Sequence, residues 1–250
     1  LSAPVRPAVA VLGVTSAIAR ATANAFADAG HPLVVAARHE SELDRIASDI
    51  RVRYGVEVNA VVFDAADHAS TESLCERCID ACETLAGVIV GFGFMDEQEA
   101  GQANSEIIRK TVNANLTESA VILERFAAHF EKQGAGFIVG VASVAGDRGR
   151  QSNYIYGSSK AGFTTYLQGL RNRLDKQGVH VLTVKPGFVD TKMTFGLPGL
   201  FLVATPESVG QTIHRAVQRQ KDVIYVPWFW RYILLIIRAI PERVFKRMSL

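Results

Sequence analysis

The chain has 250 residues, of which 48% are hydrophobic, with a formal net charge of +2. That length fits one α/β domain with an ample core, and a charge so close to balance excludes a nucleic-acid partner recruited by a basic surface. The stretch from Leu1 to Pro7 is short and lacks an apolar h-region, so no secretory leader is expected there.

In chain order, Ala8–Leu12 reads as a strand and Ala17–Ala29 as a helix closed by Gly30. Pro32–Ala37, Val56–Phe63, Val88–Gly93, Gly136–Ala142, Val179–Val184 and Asp222–Val226 read as further strands. Helices are expected over Ser41–Tyr54, Ser70–Leu85, a long span from about Asn104 to Glu131, and a span carrying Tyr156 to about Gln177. Strands that are apolar throughout and rich in Val and Ile belong to a parallel sheet covered on both faces. Their alternation with helices predicts a single-domain, doubly wound, Rossmann-type α/β fold of about seven strands. Ligands of such sheets sit beyond the strand carboxyl ends, where Gly13, Asp64, Gly93, Ser143 and Pro186 fall.

The three cysteines, Cys75, Cys78 and Cys82, lie on one helix face without a fourth ligand, so the reading is a buried stripe and no metal is expected. Free thiols fit a reducing compartment, which points to the cytoplasm.

The first strand runs through Gly13-Val14-Thr15-Ser16-Ala17-Ile18-Ala19 into a helix. A turn of small residues at a helix N-terminus lets backbone N–H groups approach a pyrophosphate. Taken alone, the turn is equally consistent with a tight strand–helix link that binds nothing. Strand two ends at Ala37-Arg38, with no acidic residue for a ribose 2′-hydroxyl; an Arg there favours a 2′-phosphate, hence NADP(H) over NAD(H). Asp64 is placed to accept from the adenine amino group or to cap a helix.

Tyr156 and Lys160, four apart, share one helix face. A phenol titrates near 10 in water and an adjacent ammonium draws it down, while the Ser143 hydroxyl can hold a carbonyl oxygen in line with it. That set suits proton transfer at a carbonyl or carbinol oxygen.

Gly13 in its shortened glycine motif, Asn115, Ser143, Tyr156-x-x-x-Lys160 and Pro186-Gly187 together resemble the short-chain dehydrogenase/reductase family over nearly the whole chain. The resemblance implies that Tyr156 is the acid/base. It implies that Lys160 tunes Tyr156 and binds the nicotinamide ribose, that Ser143 orients the substrate oxygen, and that Asn115 holds a water through its helix backbone. It also implies a cofactor cradle of Gly13, Thr15, Ser16, Ala17, Ile18, Arg38, Asp64, Gly93, Tyr156, Lys160, Pro186, Gly187, Val189 and Thr191, and a homo-oligomer. The sequence departs from the family's pattern at Ala17, Ala19 and Val90-Gly91-Phe92-Gly93.

Two stretches, Ala145–Gly157 and the tail from Val226 to Lys246, are similar to a branch of the family that reduces a 2-keto sugar carried on a polyprenyl phosphate. Asp147, Arg148, Arg150, Gln151 and Asn153 form a polar rim before Tyr156, with Arg148, Arg150, Gln151 and Asn153 as candidate substrate residues; guanidinium groups suit phosphate, and amides and carboxylates suit hydroxyls. A solvated loop is the alternative for the rim. A lipidic ketone, such as a 3-oxoacyl chain or a steroid, is the alternative substrate. A catalytically idle nucleotide-binding scaffold is the alternative of another class, opposed by the intact Ser143, Tyr156 and Lys160.

The tail, residues 228–250, combines Trp228, Phe229, Trp230, Tyr232 and an Ile/Leu run with Arg231, Arg238, Arg243, Lys246 and Arg247. Pro241 interrupts the apolar run well short of a membrane span. Aromatic, aliphatic and basic residues together predict an interfacial helix at the inner face of the cell membrane, the alternatives being a contact between subunits or a lid over the substrate cleft.

Overall fold

A computed structural model describes residues 6–196 and 201–248. Residues 1–5 of the leader reading and 249–250 of the tail reading lie outside the described residues. Seven parallel strands lie in the order β3-β2-β1-β4-β5-β6-β7: β1 Ala8–Leu12, β2 Leu33–Ala37, β3 Val58–Val62, β4 Leu85–Val90, β5 Gly136–Val141, β6 Val179–Pro186 and β7 Val223–Val226. β1 and β2 are buried along their whole length because helices cover both faces, which is why they read as unbroken apolar runs. The chain reverses its winding between β1 and β4, and the ends of these two strands open the crevice that follows.

On one face α1 (Ala17–Asp28), α2 (Glu40–Tyr54) and, late in the chain, α8 (Pro206–Gln218) cover the sheet through residues such as Phe26, Leu43, Ile46 and Ile213. On the other lie α3 (His68–Asp80), a helical run leading into α6 (Glu118–Gln133), and α7 (Tyr154–Leu174), packed through Leu74, Ile122, Phe126, Phe163 and Leu167. Cys75 and Cys78 belong to this second core, where burial pushes the Cys75 thiol up to about 12.

Three readings need correction. The third helix stops at Asp80 and Leu85 opens β4, because an apolar run continuing past a turn has no periodicity break to mark it. The long helix expected from Asn104 to Glu131 is interrupted by a π turn, and a further short helix precedes it. α4 (Gln98–Ala103) and α5 (Ser105–Val112) meet at Asn104, whose side chain caps α5 by accepting from Glu106 N. The wider π turn Asn113–Thr117 then leads into α6, with Asn115 buried at its centre. The sequence reading also passed over α8, whose start is capped by Thr205 accepting from Ser208 N with Pro206 in the first turn.

The tail forms α9 (Trp230–Ala239) and α10 (Glu242–Phe245). Trp230 and Leu234 are buried against Val144, with Phe188 and Tyr225 beside them. The opposite face stays open: Trp228 is 72% exposed, Leu235 64% and Ile236 68%, so α9 is docked by one side only. Among the described residues, no helix is long and apolar enough to cross a membrane.

Candidate active site

At the carboxyl ends of the strands lies a cleft of about 1270 Å³, large enough for a dinucleotide with a substrate beside it. Its first wall is the β1–α1 turn. Gly13 holds φ +82°, and a Cβ there would come within 2.6 Å of the Phe92 Cβ, so the residue must be glycine even though its motif is shortened. Ser16 flanks α1, whose first-turn N–H groups have no intrahelical acceptor and point toward the cleft lined by Thr15, Ser16, Ala17 and Ile18. This is a cradle for an anion at the positive end of a helix.

The end of the cleft beyond β2 and β3 is bounded by Arg38 and Asp64. Asp64 Oδ1 accepts from Ala66 N at 3.0 Å, which leaves its other oxygen for a ligand. Arg38, just before α2, is exposed and, among the described residues, has no ion-pair partner; Arg45, on α2, lines the same wall. Arg45 escaped the sequence reading; the available signal was a basic residue in the second turn of the helix that follows Arg38.

The chemical end is bounded by Ser143, Tyr156 and Lys160. Ser143 follows β5 and its Oγ accepts from Ala145 N at 3.1 Å, which fixes the hydroxyl over the 3₁₀ turn Val144–Gly146. Burial pushes the Tyr156 phenol up to about 12, and a hydrogen bond with Ser143 pulls it down only in part. Lys160 is buried, donates to Val141 O at 2.9 Å and has its Nζ 5.9 Å from the Tyr156 ring centre; burial lowers its pKa to about 8. The expectation that the ammonium draws the phenol below its ordinary value is therefore corrected. Lys160 is itself desolvated, and burial is the largest influence on the phenol.

Asn115 does not line the cleft. Its carboxamide accepts from Phe94 N at 2.8 Å and donates to Phe94 O at 2.7 Å, which locks the segment after β4, and it also donates to Ser159 Oγ at 3.0 Å. Gly93 lies against it: a Cβ there would approach the Asn115 Oδ1 to 2.8 Å. Pro186, Gly187, Val189 and Thr191 line the cleft at and beyond the end of β6.

The polar rim splits. Arg150 and Asn153 line the cleft, whereas Gln151 is exposed and lies outside it. Arg148 turns away: it donates to Arg238 O and Ile240 O at 2.9 Å each, pairs with Glu242 at 2.8 Å and stacks on Phe245. Its candidacy as a substrate residue is corrected, because the carbonyls at the end of α9 need donors and the guanidinium supplies them. Asp147 is equally withdrawn, held in a buried pair with Lys185.

The residues present fit a nicotinamide dinucleotide: a helix N-terminus for its pyrophosphate, a carboxylate at the adenine end, and Lys160 with Tyr156 at the other. A family model described as short chain dehydrogenase matches residues 7–197. An uncharacterised oxidoreductase of Mycobacterium tuberculosis (strain ATCC 25618 / H37Rv) is 32% identical over 220 residues, covering 88% of each chain. A short-chain dehydrogenase from Sphingobium yanoikuyae, solved in complex with NADPH, superposes with a TM-score of 0.79 at 26% identity, covering 94% of this chain and 97% of that one. The bulky-bulky ketone specific alcohol dehydrogenase from Comamonas testosteroni gives 0.78 at 25% identity, covering 95% and 96%. With the strand order, the cleft and these likenesses in agreement, the chain belongs to the short-chain dehydrogenase/reductase family and is an NAD(P)-dependent oxidoreductase.

Proposed function

We propose that this protein reduces a ketone to a secondary alcohol with NADPH, and that its substrate is a 2-keto sugar carried on a polyprenyl phosphate. The observation that carries the substrate reading is Arg150. Its guanidinium lines the catalytic cleft and has no hydrogen-bond or ion-pair partner among the described residues; burial lowers its pKa. A partly buried, unpaired guanidinium is costly unless a ligand supplies the anion, and a phosphate ester is a fitting one. Asn153, whose Oδ1 is buried without a partner, suits a sugar hydroxyl.

A nicotinamide dinucleotide held in this cleft would supply the hydride for the carbonyl carbon. Ser143 and Tyr156 hold the carbonyl oxygen, and Tyr156, protonated at neutral pH because burial holds its pKa high, donates its proton to that oxygen as it becomes a hydroxyl. Lys160 stabilises the phenolate left behind, which takes a proton back from water reaching the cleft before the next turnover. Arg38 and Arg45, on the wall of the cleft, would receive a 2′-phosphate, which supports NADPH over NADH. The Sphingobium likeness, whose structure holds NADPH, agrees.

The open face of α9, with Trp228, Tyr232, Leu235 and Ile236 exposed beside Arg231, Arg238, Arg243, Lys246 and Arg247, supports peripheral contact with an anionic membrane where a polyprenyl chain would reside. The family resemblance adds a homo-oligomer to the proposal, read by sedimentation. A second reading, a bulky apolar ketone, is favoured by the Phe94, Met95, Phe188 and Met193 wall and by the Comamonas likeness.

Turnover of a short-chain polyprenyl-phosphoryl 2-keto pentose, compared with an uncharged apolar ketone, separates the two. The proposal expects turnover of the phosphorylated substrate and a raised KM in Arg150→Met. Turnover of the apolar ketone alone, unaffected by Arg150→Met, supports the second reading instead.

A further inference from the structure

Behind the catalytic serine lies a buried ionic network that the chemistry above does not use. Asp147 Oδ1 accepts from Lys185 Nζ at 2.5 Å, and its Oδ2 accepts from the Tyr225 hydroxyl at 2.7 Å. The side chains of Lys185 and Asp147 are only 8% and 3% exposed. Tyr225 on β7 stands in register beside Lys185 on β6, with its ring 5.4 Å from the ammonium. Both carboxylate oxygens are thus taken by the paired ends of two adjacent strands, β6 and β7.

A buried ion pair is weak ground for stability. Removing two charges from water costs about as much as their attraction returns, and an apolar pair of the same shape often does as well. What such a pair supplies is a fixed geometry, and its position here says between which parts. Asp147 ends the 3₁₀ turn that begins at Ser143, with Gly146 N bonded to Ser143 O and Asp147 N bonded to Val144 O, both at 3.2 Å. Asp147 is therefore rigidly tied to the catalytic hydroxyl. Lys185 is the residue before Pro186, and Gly187 N is bonded to Val226 O at 2.9 Å, one residue beyond Tyr225. Lys185 and Tyr225 are therefore tied to the strand end that lines the nicotinamide side.

We infer that Asp147, Lys185 and Tyr225 are positioning residues that hold the Ser143 turn at a fixed separation from Pro186-Gly187, and so seat the nicotinamide end of the dinucleotide against Ser143 and Tyr156. The inference rests on the family's nucleotide chemistry and is independent of the substrate.

Two ligands test it on the full chain: NADPH, and 2′-phospho-ADP-ribose, which lacks only the nicotinamide. Their affinities are measured by calorimetry for wild type, Lys185→Met, Lys185→Arg and Tyr225→Phe. Lys185→Met is expected to weaken NADPH about tenfold or more while 2′-phospho-ADP-ribose stays within about twofold, and Lys185→Arg to recover most of the loss. Tyr225→Phe, which leaves the charges paired, is expected to weaken NADPH about threefold with the same selectivity. It carries the decision should Lys185→Met fail to fold. Equal loss for the two ligands would reduce the network to a support of the fold. No loss for either, or a wild type that binds NADPH no tighter than 2′-phospho-ADP-ribose, would equally overturn the inference.

Discussion

The Asn115 carboxamide donates to Ser159 Oγ at 3.0 Å, and Ser159 in turn donates to the carbonyl of Tyr156 at 2.7 Å. A residue at the centre of a π turn is thereby joined to the turn of α7 that presents both Tyr156 and Lys160. The same carboxamide closes on Phe94, so one side chain fixes the catalytic helix relative to the segment after β4.

Replacing Asn115 by Leu removes these three bonds and strands the Phe94 backbone groups. Each buried group left unpaired costs about 1–3 kcal/mol, so a clear drop in the urea midpoint is expected, together with loss of turnover. Asn115→Leu with unchanged stability would mean that the carboxamide is not holding the segment.

Tyr156→Phe keeps the ring, its packing and the Lys160 contact with Val141 O, and removes only the proton donor. Ketone-dependent NADPH oxidation is expected to fall by about 10²- to 10⁴-fold, the range of a general acid, with NADPH affinity retained. A variant that turns over like wild type would remove Tyr156 from the chemistry.

Lys160 sets the pH dependence. Its pKa of about 8 means that the ammonium is present below pH 8 and lost above it, so ketone reduction is expected to decline as pH rises through 8. Stability runs the other way. The unfolded lysine titrates near its ordinary 10.5, so between about pH 8 and 10.5 the unfolded chain binds more protons and stability rises with pH. Urea midpoints at pH 7.5 and 9.5 are expected to show that rise in wild type relative to Lys160→Met. Parallel behaviour of the two proteins would mean that Lys160 is not the buried ammonium described.

Arg38→Ala and Arg45→Ala are each expected to weaken NADPH more than NADH, because only the former carries the 2′-phosphate. The ratio of the two affinities is the readout, and an unchanged ratio in the double variant would assign the phosphate to other groups.

The membrane proposal calls for surface substitutions rather than truncation. Deleting the tail from Trp228 onward would uncover Val144 and Tyr225 and strip Arg148 of its acceptors, so lost binding would not distinguish unfolding from undocking. Trp228→Ser with Ile236→Ser leaves Trp230 and Leu234 in place. Reduced sedimentation with anionic vesicles, at unchanged thermal stability, is the expected result; sedimentation equal to wild type would end the proposal.

The sequence by itself determined the local features. Apolar runs marked the buried strands, Gly13 marked the turn that tolerates no Cβ, and the four-residue spacing put Tyr156 and Lys160 on one face. Each follows from backbone geometry within a few residues. The sign of the Tyr156 shift depends on burial, which side chains distant in sequence create. Which arginine meets the cleft was equally illegible, since Arg148 and Arg150 are alike until α9 brings its terminal carbonyls to one of them. Asp147 looked like part of a polar rim until Lys185 and Tyr225, 38 and 78 residues away, arrived beside it. The chain spells out which groups exist and which backbone turns they ride on; only packing decides which charges are desolvated and by whom they are met, because desolvation and pairing depend on neighbours that local sequence does not contain.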